Sequence, residues 1–213
     1  KMIEESPSPL LDEELRAQMM NDAVKAARAV GYTSAGTIEF LMDENRNYYF
    51  MEMNTRIQVE HCVTEMVTHT DLMGEMIRVA AGEPLSFTQN DIVLQGHAIE
   101  CRINAEMPER NFMPSPGVIS QMHLPGGNGV RVDTAAYDGF EISPYYDSMI
   151  AKIIVRGRNR TEAIAKMRTA LEEMVIVGVD TNLDFQFAIM ENETFCEGKA
   201  DTSFIERFLK GEV

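Results

Sequence analysis

The sequence predicts an α+β protein, and three observations predict it. Asp12 to Val30 places Leu15, Met19, Ala23, Ala26 and Val30 at helical spacing. Gly36 to Met42 and Tyr48 to Met53 carry strand-like content on either side of a polar turn. From Gln95 onward the texture changes to short strands between Pro and Gly turns, followed by a second helical stretch from Arg160 to Val175.

Taken in order, Lys1 to Pro9 reads as an extended lead-in with Ser-Pro repeats, and the missing initiator Met predicts a portion of something longer. Asp12 is the expected N-cap of the first helix, and Gly31 lies just past its end. Gly36 to Met42 alternates Ile38, Phe40 and Met42 against Thr37, Glu39 and Leu41, and Asp43 to Asn47 is the turn before the next strand. A tight hairpin centred on Asn45-Arg46 would set Glu39 opposite Glu52, with Asn54 on the same face by strand parity. Like charges opposed across a sheet destabilise it unless a cation or a protonated partner compensates. Two carboxylates and an amide oxygen are hard ligands of the kind Mg²⁺ takes. If the chain stays extended, Arg56, Gln58 and Glu60 continue on that side, where Arg56 could clamp an oxyanion while Glu60 removes its proton.

Asp71 caps a predicted helix through Leu72, Met73, Met76, Ile77 and Ala80, ending at Gly82 and Pro84, with its methionines as core filling. His61 and His69 flank this region outside any metal-binding pattern and read as structural or exposed. Gly82 to Asn90 is a boundary. Strands follow at His97 to Ala105, Gly117 to Leu124, Gly129 to Asp133 and Ile150 to Val155. In the first of them Ala98, Glu100, Arg102 and Asn104 share a polar face that could meet a cleft. Pro125 to Gly129 lacks the Lys-Ser/Thr of a phosphate loop and reads as a hairpin turn. Tyr145 and Tyr146 read as packing, and Asn182 to Met190 and Ser203 to Leu209 as short helices.

Composition narrows the function classes. The chain has 213 residues, is 45% apolar and carries a formal charge of −15, enough for a real core but unsuited as a whole to nucleic acid or an anionic membrane. Cys62, Cys101 and Cys196 are odd in number and in no CxxC spacing, which predicts reduced thiols in a cytoplasmic protein. No apolar run approaches a membrane span.

The run Glu52-Met53-Asn54-Thr55-Arg56-Ile57-Gln58-Val59-Glu60-His61 resembles the signature of biotin carboxylase, an ATP-grasp enzyme of acetyl-CoA, propionyl-CoA and pyruvate carboxylases. Further matches follow in order at Gly36 to Phe40, Gly96 to Glu106, Pro114 to Gly117 and Pro144 to Met149, so the resemblance runs from Lys1 to about Leu209. It implies that ATP and bicarbonate give carboxyphosphate, which then carboxylates the ureido nitrogen of biotin. Matched by position, Glu39, Glu52 and Asn54 would hold Mg²⁺ or Mn²⁺, and Glu39, Leu41 and Glu52 would lie at the ATP. Lys1, Arg56, Gln58 and Val59 would bind bicarbonate, Val59 through its backbone. Glu60 would be the general base, Arg56 would be catalytic, and Arg102 would bind biotin and stabilise its enolate-like form. Cys62 stands where the family usually has proline, which removes a fixed φ beside the signature.

The resemblance implies the C-terminal part of an ATP-grasp domain over residues 1–84, then a biotin carboxylase C-terminal domain of mixed or antiparallel sheet and helices over 85–213. It places the Gly-rich ATP lid and most adenine contacts upstream, so these residues alone are expected to have an incomplete ATP site and negligible turnover. With no Met-Lys-Met site here, biotin is expected elsewhere, on a biotin carboxyl carrier protein serving a carboxyltransferase, and the full protein is expected to be a homodimer. Two other functions compete: another ATP-grasp carboxylate-amine ligase, and a non-catalytic assembly module. Arg102 discriminates, because a biotin-independent ligase gives no reason for the Glu100 to Asn104 strand.

Overall fold

The computed structural model describes all 213 residues. The chain divides into two compact units, Pro7–Leu94 and a second formed by Lys1–Ser6 with Gln95–Val213. The division falls beyond Pro84, where a domain boundary was expected. After Pro84 the chain stays tied to its own unit, since the Ser86 N–H donates to a Glu75 carboxylate oxygen at 3.0 Å and the Ser86 hydroxyl donates to the other. No helix is long and apolar enough to cross a membrane.

The first strand, β1 (Ile3–Ser6), belongs to the second unit. The Pro7–Leu94 unit opens with α1 (Glu13–Ala29), where Asp12 Oδ1 accepts the Leu15 N–H at 2.9 Å. Gly31 takes the left-handed φ of +63° as the chain leaves the helix, and the Tyr32 N–H returns to the Ala27 carbonyl. A two-stranded ribbon follows, β2 (Thr37–Met42) against β3 (Tyr48–Asn54). In its turn, Asp43 Oδ1 accepts from Asn45 N at 2.9 Å and Asn47 N at 2.8 Å.

The ribbon register differs from a regular hairpin. Met42 pairs with Tyr48 and Phe40 with Phe50, which centres the turn on Asn45 alone rather than on Asn45-Arg46. Met51 is then inserted as a bulge, and Glu39 pairs with Glu52. Beyond Asn54 the chain bends instead of staying extended, and α2 (His61–Thr68) begins, a helix that the alternation did not predict. It buries Cys62, Val63 and Val67. Helix α3 (Leu72–Ala80) starts at Asp71, whose Oδ1 accepts the Gly74 N–H at 2.8 Å, and Glu65 of α2 accepts the Leu72 N–H at 2.8 Å.

The second unit adds β4 (His97–Asn104), β5 (Glu106–Met107), β6 (Met113–Pro114), β7 (Gly117–Val118), β8 (Gln121–His123), β9 (Val130–Thr134), β10 (Glu141–Ile142), β11 (Met149–Gly157) and β12 (Val175–Val177). Its helices are α4 (Arg160–Glu173), α5 (Leu183–Glu191), α6 (Glu193–Cys196) and α7 (Phe204–Leu209). An antiparallel sheet runs in the order β1-β4-β11-β9. Ile99, Cys101 and Ile103 of β4 and Ile153 and Val155 of β11 point to one face and form a core with Ala163, Met167 and Leu171 of α4. Burial raises the Cys101 thiol well above its ordinary pKa, with the charges of Glu4 and Glu100 adding to the shift.

Five expectations are corrected in this unit, beginning with Tyr145 and Tyr146, which are exposed rather than packed. Lys1 to Ser6 is not merely a lead-in, because β1 pairs with β4 from Ile3 opposite Cys101 to Ser6 opposite Ala98. Gly117 to Leu124 is two strands with different partners, β7 on β10 and β8 on β12. Pro125 to Gly129 is not a hairpin turn, since β8 and β9 on either side lie in different sheets. The helix from Arg160 ends at Glu173, and Val175 enters β12, as its β-branched neighbours favour.

Candidate active site

The bulged ribbon brings Glu39, Glu52 and Asn54 together. The Asn54 side-chain amide donates to Glu39 at 3.0 Å and to Glu52 at 2.9 Å. Gln58, buried where the chain bends, donates its own amide to the same Glu39 oxygen at 2.5 Å. The like charges that face each other across the ribbon are thus bridged by N–H donors. This donor set fits a hard divalent cation, because two carboxylates converge beside one side-chain amide. Leu41 is exposed on β2, two residues along from Glu39 and on its face of the strand.

The bend sets the guanidinium. Arg56 is exposed, and it donates to Asn54 Oδ1 at 3.3 Å and to the Ile57 carbonyl at 3.1 Å. A guanidinium has five N–H donors in a planar fork, of a kind suited to a planar oxyanion. Val59 and Glu60 are half-buried just before α2. Glu60 is the N-cap residue of that helix but makes no side-chain capping bond. Lys1 is exposed at the start of the second unit. Gln58, expected on the Glu52 face of an extended strand, instead turns back onto Glu39 because the strand ends at Asn54.

In the second unit Arg102 is fixed at both backbone and side chain. Its N–H donates to the Met2 carbonyl at 3.0 Å. Its carbonyl accepts the Asn182 amide at 3.0 Å and the Gln186 amide at 3.1 Å, both from residues almost wholly buried. The guanidinium pairs with Glu4 of β1 at 2.6 Å. The polar face of β4 is therefore no open cleft wall. Glu100 is fully buried, 3.8 Å from Lys152, and Lys152 lies 3.7 Å from Asp133, which is paired with Arg131 at 2.7 Å. Sequence reasoning missed Glu4, Asn182 and Gln186. Only the pairing of β1 with β4 and the position of α5 bring them to Arg102, and neither leaves a local pattern.

Two family models match the chain: the biotin carboxylase C-terminal domain over residues 100–207, and the ATP-binding domain of the carbamoyl-phosphate synthase L chain over residues 1–88. The chain is 61% identical over 209 residues to biotin carboxylase 1 of Bacillus subtilis, covering 98% of this chain and 46% of that protein. It is 55% identical over 210 residues to the biotin carboxylase of a Nostoc species, covering 99% and 47%. Among solved structures, it matches the biotin carboxylase domain dimer of Hydrogenobacter thermophilus 2-oxoglutarate carboxylase, solved with MgADP, ADP and bicarbonate. That match has a TM-score of 0.95 and 50% identity, and covers 97% of this chain and 46% of that one. The chain thus spans about half the length of the relatives it matches.

Proposed function

This chain belongs to the biotin carboxylase family, and on that premise we propose that it carries the bicarbonate-activating and biotin-accepting residues of an ATP-dependent biotin carboxylase. The observation that carries the reading is the register setting Glu39 against Glu52, with Asn54 and Gln58 bonded into the same cluster and Arg56 bonded to Asn54. The relative solved with MgADP and bicarbonate supports assigning both to this cluster.

In the proposed mechanism, Glu39, Glu52 and Asn54 would hold Mg²⁺ or Mn²⁺, with Glu39, Leu41 and Glu52 at the ATP. A cation bound there would supply charge neutralisation at the transferring phosphoryl group, a reaction that is mostly positioning and electrostatics. Arg56 binds bicarbonate with its planar fork, assisted by Gln58, Lys1 and the Val59 backbone. Glu60 removes the bicarbonate proton, which makes a weak nucleophile a better one. The second step develops charge on the ureido oxygen of biotin, and Arg102 is the guanidinium proposed to stabilise it. The match of residues 100–207 to the biotin carboxylase C-terminal domain favours biotin over another acceptor.

The wider setting belongs to the same proposal: biotin on a separate carrier protein, a carboxyltransferase as its recipient, a homodimer, and a cytoplasmic location. Bicarbonate kinetics of the intact protein that carries this chain test the central assignment. Arg56→Lys keeps the charge and loses the fork, so kcat/KM for bicarbonate should fall by about a hundredfold or more with the fold unchanged. Near-normal bicarbonate kinetics in that variant would remove Arg56 from the mechanism.

A further inference from the structure

Helix α2 presents three dissimilar donors on one face. His61, Cys62 and Glu65 each offer a ligand atom, and these atoms all lie within 4.8 Å of one another. His61 Nε2 is 3.6 Å from Cys62 Sγ and 3.7 Å from Glu65 Oε2. A tetrahedral ion with bonds of about 2.0–2.3 Å sets its ligand atoms roughly 3.3–3.8 Å apart, so two of the three spacings already match. The ring is also oriented for this role. His61 Nδ1 lies 2.8 Å from the Gln58 carbonyl oxygen, which can only accept, so Nδ1 carries a proton and Nε2 is the atom turned to sulfur and carboxylate. A backbone carbonyl holding the far nitrogen is the usual outer contact of a metal-bound histidine. Glu65 is held from behind as well, its Oε1 accepting the Leu72 N–H at 2.8 Å. Cys62 is fully buried, and the side chains of His61 and Glu65 are 15% and 8% exposed.

We propose that His61, Cys62 and Glu65 form a binding site for a thiophilic divalent cation of the Zn²⁺ class, separate from the Glu39, Glu52 and Asn54 cluster. The mixed nitrogen, sulfur and carboxylate set suits Zn²⁺, whereas the all-oxygen cluster suits Mg²⁺. On binding, the Cys62 S–H bond breaks, a Zn–S bond forms, the proton leaves to solvent, and water fills the fourth position. This inference does not depend on the proposed reaction.

The test is a Co²⁺ titration of the intact protein in excess Mg²⁺, followed by the near-ultraviolet thiolate-to-cobalt absorption that only a sulfur ligand produces. One equivalent should develop the band and Zn²⁺ should abolish it. The band should persist in Cys101→Ser and Cys196→Ser and vanish in Cys62→Ser. Glu65→Gln, which keeps an acceptor for Leu72, should weaken binding by about tenfold or more. X-ray absorption on the zinc-loaded unmodified protein should show one sulfur neighbour, a readout that needs no variant to fold. No cobalt band, a band surviving Cys62→Ser, or zinc without a sulfur neighbour would each overturn the proposal.

Discussion

Glu5 is a largely buried carboxylate that keeps its charge. It lies 2.7 Å from His97 Nε2 and 2.7 Å from Arg160 Nε. Burial pushes its pKa up, but hydrogen bonds from His97 and Arg160 outweigh that, and the group titrates below the ordinary 4.5. Because the folded value lies below the unfolded one, its stabilisation is complete above about pH 4.5 and is lost as pH falls through the lower folded value. Glu5→Gln should therefore cost about 1.5–3 kcal/mol at pH 7. The gap to the unmodified protein should narrow on acidification, as urea midpoints at pH 7 and below pH 4.5 would show; a pH-independent gap would contradict this account. At the same scale, Glu39, Glu52, Asn54, Arg56 and Gln58 were legible because they crowd one short stretch and its partner strand. Glu5 was not, since His97 and Arg160 lie far along the chain and nothing local announces them.

At the scale of elements, helices with caps and apolar spacing were the most readable. Asp12 and Asp71 both cap the helices predicted from them. Helix α2 was missed because the signature residues around it are polar and its eight residues give too little periodicity. The ribbon holds a subtler lesson. A turn centred on Asn45 would by simple counting set Met51 opposite Glu39, and the Met51 bulge restores Glu52 to that place. Side-chain alternation carries no signal for such a bulge, so the pair was anticipated with the turn misplaced by half a residue. Strand β4 and helix α5 meet through Gln186, whose amide donates to the carbonyls of Met2 and Arg102, each at 3.1 Å. Gln186→Leu keeps the size but leaves both carbonyls with one donor fewer, at a cost of about 1–3 kcal/mol. Chemical denaturation measures that cost, and a change under about 0.5 kcal/mol, the usual range for an uninvolved surface site, would show that the clamp contributes little.

At the scale of the whole molecule, the sequence foretold an α+β chain with a sheet-rich second part. It did not foretell that β1 crosses to that part, because strand partners far apart in sequence are chosen by the assembled sheet rather than by local propensity. The same assembly turns an expected cleft face into diagonal ion pairs, Glu4 with Arg102, and Glu100 with Lys152, Asp133 and Arg131, which offset the like charges set opposite one another, Glu4 against Glu100 and Arg102 against Lys152. An acidic chain of net charge −15 thus gathers cations where its sheet needs them. The central proposal is that Arg56, Gln58, Val59 and Glu60 of one unit and Arg102 of the other serve one overall reaction. Its most direct test is bicarbonate-dependent ATP cleavage by the intact protein, with and without free biotin, in the unmodified form and in Glu60→Ala and Arg102→Ala. The account predicts that biotin stimulates cleavage in the unmodified protein and that both variants lose the stimulated rate. Cleavage indifferent to biotin, or biotin stimulation intact in Arg102→Ala, would contradict it.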